Sequence, residues 1–144
     1  MRFWDSSAIL PLLVEETSTP SALGFYANNP EIVAWWGTPV ECASALEKLE
    51  RDAKLDAAGV TQALSQLATL QAAWHEVQPM DGVRQVAQRL LRLHPLRAAD
   101  SLQLAAALLA CEHRPQGWQF VSLDARLSLA AEREGFSVIR QLPA

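Results

Sequence analysis

Four acidic residues stand where a predicted strand ends or a predicted helix begins. Carboxylates that converge without basic partners repel one another, which raises their pKa values, and a hard cation such as Mg²⁺ or Mn²⁺ relieves that repulsion. The four acids therefore predict a candidate site for one or two divalent cations. They are Asp5, Glu41, Asp100 and Asp124.

Each acid also has an ordinary structural explanation, because carboxylates near helix N-termini accept hydrogen bonds from backbone N–H groups and favour the helix dipole. Thr38 and Glu41 have the spacing of a capping box, which alone would account for Glu41. Asp100 favours the cation, since its predicted helix is otherwise uncharged and a carboxylate there is costly unless it is paired or bound to a cation. The sequence leaves both explanations open.

The elements that must position these acids alternate between strands and helices. Pro11 predicts a kink in the first helix, and the Ser/Thr/Pro cluster at residues 17–21 predicts a break after it. The predicted strands are residues 2–5, 31–36, 74–77, 120–122 and 136–139, and the predicted helices are 6–16, one ending near 28, 38–52, 60–70, 83–91, 98–110 and 124–134. This alternation predicts an α/β fold with a central parallel sheet of about five strands, flanked by helices, and ligands at the carboxyl ends of the strands.

Length and composition limit the possible classes. The 144 residues, half of them apolar, predict a single domain over residues 1–144. No stretch approaches the roughly 18 apolar residues that a membrane span needs, so we expect a cytoplasmic protein with no membrane contact. The net charge of −4 neither supports nor excludes RNA as a ligand, because the acids outside the proposed site balance the 12 Lys and Arg residues.

The cysteines and histidines do not predict a metal site. Cys42 and Cys111 lack any zinc-type spacing, and we interpret both as buried free thiols. His75, His94 and His113 are far apart in the sequence, so we interpret them as structural or surface residues.

Tryptophans could stack on bases, as they do in proteins that bind single-stranded nucleic acids. For most of them the sequence favours core packing instead, because Trp4, Trp35, Trp36 and Trp74 fall in predicted strands. Trp118 is the fifth tryptophan.

Four segments carry a resemblance to a known family. Residues 5–10 resemble the opening of a PIN domain, and residues 95–107 resemble its central motif. Residues 121–127 resemble its late strand motif, and residues 38–46 resemble the segment that contains its glutamate. The match spans nearly the whole chain in the expected order, so the chain resembles the VapC-like toxins of the PIN-domain family.

The resemblance implies a single PIN-like nuclease domain and a divalent-metal-dependent endoribonuclease. It also implies the toxin component of a type II toxin–antitoxin system, with an RNA substrate, a small antitoxin that covers the acidic site, and a homodimer. The residues that would ligate one or two Mg²⁺ or Mn²⁺ ions, and so form the catalytic centre, are Asp5, Glu41, Asp100 and Asp124. Some relatives have another carboxylate around the last motif, where this chain has Ser122 and Arg126.

Four further residues are candidates for supporting roles. Ser7 and Ser122 each lie two residues from an acid and could donate a hydrogen bond to a carboxylate or to a metal-bound water; helix capping is the alternative. Arg97 and Arg126 lie close to acids in the sequence and could bind substrate phosphate, or could simply be solvated.

Three other functions remain open at this point. The first is a PIN-like nuclease without an antitoxin, active in RNA processing or on DNA. The second is a non-catalytic binding module in which the acids only cap helices. The third is a phosphatase with an aspartyl nucleophile, which Ser7 disfavours because it stands where such a motif needs its second acid.

Overall fold

The computed structural model describes residues 1–16 and 19–140. The strands are β1 (Arg2–Trp4), β2 (Val33–Trp35), β3 (His75–Val77), β4 (Gln119–Val121) and β5 (Ser137–Ile139). The helices are α1 (Ser6–Leu13), α2 (Thr19–Asn28), α3 (Thr38–Arg51), α4 (Ala57–Ala73), α5 (Asp81–Leu93), α6 (Ala98–Ala110) and α7 (Ala125–Arg133).

The strands form one parallel sheet in the order β3-β2-β1-β4-β5. Phe3 at the centre of β1 is in register with Val33 of β2 and with Phe120 of β4. The chain crosses to the other side of β1 after β3, so the strand order reverses at the centre of the sheet, where ligands bind in folds of this type. The predicted α/β fold with about five parallel strands is confirmed.

Side chains alternate between the two faces of the sheet, so each face has its own core. Phe3 and Phe120 belong to a core that includes residues of α5, α6 and α7. Trp4 and Val121 belong to the other core, with residues of α1, α2 and α4. Helix α6 has three successive alanines that are fully buried, residues 105–107, and such small side chains permit close approach to the sheet.

Helix α1 is shorter than the sequence predicts, because it ends at Leu13 and not at residue 16. Pro11 lies inside this helix, and Val14 adopts an extended conformation directly after it. The Thr19 hydroxyl lies 2.8 Å from the Pro11 carbonyl and 2.9 Å from the Val14 carbonyl, so a side chain satisfies carbonyls at the end of the helix. Within the predicted break at 17–21, residues 17 and 18 lie outside the described residues, and α2 already begins at Thr19.

The tryptophan predictions hold for three residues and fail for one. Trp4, Trp35 and Trp74 are buried, as expected. Trp36 is 51% exposed, so the prediction that it packs in the core is wrong. Strand β2 ends at Trp35, and the alternation of a strand therefore no longer determines the direction of the next side chain.

Both cysteines are buried free thiols, as predicted, and burial raises the pKa of Cys42 to about 12. His94 is a buried structural residue whose Nε2 lies 2.6 Å from a carboxylate oxygen of Glu134. None of the helices in the described part of the chain has the length and apolar character needed to cross a membrane.

Candidate active site

The four predicted acids all lie at the carboxyl edge of the sheet or at a helix start beside it. Asp5 caps α1 directly after β1, and Glu41 lies in the first turn of α3 after β2. Asp100 lies in the first turn of α6, and Asp124 caps α7 just after β4.

Asp5 is a buried carboxylate held by several donors. It is 2% exposed, and its Oδ1 accepts hydrogen bonds from the Ser7 N–H and the Ser7 hydroxyl, both at 2.6 Å. Its Oδ2 accepts a hydrogen bond from the Ser122 hydroxyl at 2.5 Å. Burial raises the pKa of Asp5 to about 6, although the hydrogen bonds from Ser122, Ser7 and Ala8 oppose the shift.

The two serines connect the loops after β1 and β4. The Ser7 hydroxyl accepts a hydrogen bond from the Leu123 N–H at 2.9 Å, and the Ser122 hydroxyl accepts one from the Asp124 N–H at 3.1 Å. Each hydroxyl therefore accepts from the β4–α7 loop and donates to Asp5. These contacts fix the position of that carboxylate relative to the start of α7.

Glu41 does not form the capping box that its spacing suggests. The N-cap of α3 is Gly37, which has no side chain to cap with, and Thr38 is the first helical residue. The two carboxylate oxygens of Glu41 instead accept hydrogen bonds from the Ser6 hydroxyl at 3.1 Å and from Gln103 Nε2 at 2.9 Å. The carboxylate is thus directed at α1 and α6 and not at its own helix.

Burial is the largest cause of the raised pKa of Glu41, and the negative charges of Asp5 and Asp100 raise it further. Hydrogen bonds from Gln103 and Ser6 act in the opposite direction. Glu41 is therefore within electrostatic range of two other acids from different elements.

Sequence reasoning missed Ser6 and Gln103. Gln103 is 1% exposed, and its Nε2 donates to Thr38 Oγ1 at 3.0 Å as well as to Glu41. Its Oε1 is buried and has no hydrogen-bond partner among the residues that the structure describes. A signal was present, because Gln103 is a polar residue in an apolar helix and lies one turn after Asp100 on the same face. Ser6 gave no such signal, since a serine at a helix start is common.

Asp100 and Asp124 border an open cavity of about 450 Å³. Burial, and then the negative charge of Asp124, raise the pKa of Asp100. The Arg97 backbone N–H and the charges of Arg97 and Arg126 lower it. The remaining lining residues are Ala99 and Ala125, so both predicted phosphate-binding arginines lie at the cavity that contains the two acids.

Capping explains only part of this arrangement. Asp5 accepts from two backbone N–H groups of α1, and Asp124 Oδ1 accepts from the Leu127 N–H at 2.9 Å, as the capping explanation predicts. In the described part of the chain, however, the Glu41 carboxylate accepts hydrogen bonds from side chains and from no backbone N–H. Within residues 1–16 and 19–140, none of the four carboxylates lies within 4.0 Å of a basic nitrogen.

The donor chemistry fits a hard divalent cation, because all four candidate ligands are carboxylates, which Mg²⁺ and Mn²⁺ prefer. The cage is not preformed: in the described part of the chain, no three acidic, histidine or cysteine side chains converge closely enough to hold one ion. Binding would therefore require the carboxylates to move together.

Solved structures share this architecture across nearly the whole chain. VapC20 of Mycobacterium tuberculosis, a sarcin-ricin loop cleaving toxin, aligns with a TM-score of 0.63 and 19% identity over 99% of this chain and 100% of that one. FitAcB of Neisseria gonorrhoeae aligns with a TM-score of 0.65 and 13% identity over 96% of each chain. PAE2754 of Pyrobaculum aerophilum aligns with a TM-score of 0.62 and 19% identity over 96% of this chain and 83% of that one.

The fold is that of a VapC-like PIN domain. No protein-family model and no curated protein matches the chain in sequence. The likeness is therefore one of fold alone.

Proposed function

We propose that this PIN-domain protein is a divalent-metal-dependent endoribonuclease that hydrolyses RNA phosphodiester bonds, and that it is the toxin component of a type II toxin–antitoxin system. The observation that carries the proposal is the set of four carboxylates at the carboxyl edge of the sheet, none of which forms a salt bridge with another described residue. The structural likeness to a sarcin-ricin loop cleaving toxin supports the same class of reaction.

One or two Mg²⁺ or Mn²⁺ ions would be held by Asp5, Glu41, Asp100 and Asp124. Such an ion, when bound, activates water, neutralises the charge that develops on phosphorus-bound oxygens and stabilises the leaving oxygen. Ser7 and Ser122 hold the Asp5 carboxylate in place, and Ser6 and Gln103 do the same for Glu41. Donors of this kind fix the direction of ligating carboxylates.

Arg97 and Arg126 bind the phosphate backbone of the RNA. Both line the cavity beside Asp100 and Asp124, and a guanidinium group suits phosphate because it can donate two parallel hydrogen bonds. Their charges offset the acidic surroundings, which would otherwise repel a polyanion.

Hydrolysis is tested with purified protein and single-stranded RNA in the presence of Mg²⁺ or Mn²⁺. Cleavage should fall at least about 100-fold in Asp5→Ala and in Asp100→Asn, because each removes a ligand oxygen and a charge. Asp81→Asn is the matched control, since the Asp81 side chain is 88% exposed on α5, and it should cleave like the wild type. Full activity in both site variants would refute the assignment.

The toxin role is tested by expression in the cytoplasm of a bacterial host. The protein alone should arrest growth, and a small antitoxin that covers the acidic site, encoded next to it, should restore growth. Asp100→Asn should not arrest growth. Normal growth with active protein and no partner would favour a PIN-like nuclease that works without an antitoxin.

A further inference from the structure

Trp36 differs from the other tryptophans in its exposure. Trp4, Trp35 and Trp74 are 0%, 7% and 8% exposed, and Trp118 is partly buried, whereas Trp36 is 51% exposed. A single exposed apolar side chain needs no special explanation. What distinguishes Trp36 is its position beside the candidate active site.

Trp36 follows β2 at the carboxyl edge of the sheet and precedes Gly37, the N-cap of α3. The Glu41 N–H donates to the Gly37 carbonyl at 3.2 Å, so Glu41 lies one helical turn further along. A Cα–Cα step of about 3.8 Å and a helical turn of about 5.4 Å put the backbones of Trp36 and Glu41 within about 10 Å of each other. Val40, which is 70% exposed, adds apolar surface in the same turn.

The backbone of Trp36 is anchored, and its ring contacts a buried aromatic ring. The Trp36 N–H donates to the Val77 carbonyl at 3.0 Å, which anchors the backbone to the end of β3. The ring meets the buried ring of Trp35 edge to face, with centroids 6.4 Å apart and planes at 69°. A Cβ at Gly37 would lie 2.5 Å from Trp35 Nε1, so glycine permits this close packing of Trp35 against the turn. An aromatic side chain with only two side-chain torsions loses little conformational entropy on binding.

A flat, half-exposed ring can stack on the face of an unpaired base of any sequence, whereas the bases of a duplex already stack on one another. On the other side of the acids, the cavity at the end of β4 contains Arg97 and Arg126, which suit phosphate. Asp5 follows β1, the strand between β2 and β4, so this acid lies between the aromatic group and the cationic groups.

We propose that Trp36 binds one unpaired nucleobase of the RNA substrate, on the side of Asp5 opposite to Arg97 and Arg126. This inference rests on the proposed function for the identity of the ligand. In this arrangement the RNA has a phosphate at the arginines, the bond to be cut at the acids and an unpaired base on Trp36.

Fluorescence anisotropy with short dye-labelled oligoribonucleotides tests this role. Binding is measured in Ca²⁺, with gels to check that the RNA stays uncut, for an intact single strand and for the same strand with abasic residues. Trp36→Ala should weaken binding of the intact strand about 10-fold, and Trp36→Phe should weaken it about threefold or less, because phenylalanine still stacks. Leu64→Ala is the control, since Leu64 is 38% exposed on α4, and it should bind like the wild type.

The abasic strand separates base stacking from other effects. Wild type and Trp36→Ala should bind it with equal, weak affinity. Equal loss for intact and abasic strands, or no loss for either, would overturn the proposal. A wild-type dimer that becomes monomeric in Trp36→Ala, with RNA affinity unchanged, would assign Trp36 to a protein interface and overturn it too.

The binding readout does not depend on hydrolysis. Base-dependent binding through Trp36 without any cleavage in Mg²⁺ or Mn²⁺ would refute the proposed nuclease and leave the base site standing. Metal-dependent cleavage with unchanged RNA binding in Trp36→Ala would support the proposed nuclease and refute the base site.

Discussion

Asp5 is a buried carboxylate that forms no salt bridge with any residue that the structure describes. Its hydrogen bonds come from Ser7, Ala8 and Ser122, all of them neutral groups, and its pKa is raised to about 6 because burial outweighs those bonds. A buried anion of this kind disfavours the folded state at neutral pH. A bound cation would remove that cost, which is why we regard Asp5 as the best single indicator of a metal site.

The cost should be measurable as a pH dependence of stability in metal-free protein. The pKa of Asp5 in the folded state, about 6, lies above its ordinary value of 3.8, so the folded protein holds the proton more tightly than the unfolded chain. The resulting stabilisation is fully present below about pH 4 and is lost as the pH rises through 6. Between pH 4.5 and 7.5 we expect a loss of about 2 kcal/mol in the free energy of unfolding from this residue.

Asp5→Asn removes the titrating group and keeps the shape. Urea denaturation in EDTA should show a smaller loss of stability between pH 4.5 and 7.5 in this variant than in the wild type, and a more stable variant at pH 7.5. Glu41 and Asp100, whose pKa values are also raised, leave part of the pH dependence in place. An identical pH dependence in both proteins would show that the Asp5 anion carries no such cost.

At the scale of elements, helix α6 does more than carry Asp100. Gln103 extends from α6 to α3, where its amide bridges Thr38 and Glu41. One helix therefore supplies an acid and also fixes the direction of another acid on α3.

Gln103→Leu should keep the helix packed but release Glu41. We expect Mn²⁺ affinity to fall about 10-fold, because Glu41 loses a hydrogen bond to a charged group, which is typically worth about 1.5–3 kcal/mol. Gln85→Leu, an exposed change on α5, is the control. Calorimetric titration with Mn²⁺ measures the effect, and wild-type affinity in Gln103→Leu would mean that Glu41 does not need this contact.

Most elements were predictable because their apolar residues follow the periods of strands and helices. Helix α6, for example, was predicted with its observed limits of Ala98–Ala110. The end of α1 was not predicted correctly, because the Thr19 hydroxyl of α2 lies against the Pro11 and Val14 carbonyls there. The Thr38–Glu41 capping box is absent for a similar reason, because Ser6 of α1 and Gln103 of α6 donate hydrogen bonds to the Glu41 carboxylate.

At the scale of the whole molecule, the sheet order places the acids along one edge of the sheet. Strand β1 lies between β2 and β4, so Asp5 stands between Glu41 and Asp124. The sequence predicted a parallel sheet from the alternation of elements, but periodicity within elements carries no information on strand order. The sequence could therefore place each acid at the end of a strand or the start of a helix. It could not show that Gln103 contacts Glu41, 62 positions away, or that Trp36 is exposed.

The central claim is that these carboxylates hold a divalent cation in common, and calorimetric titration of the metal-free protein with Mn²⁺ tests it most directly. Wild type and Asp81→Asn should bind Mn²⁺ with the same affinity, and binding should be lost or weakened at least about 100-fold in Asp5→Asn and in Asp100→Asn. No heat of binding in the wild type, or wild-type affinity in both site variants, would contradict the account.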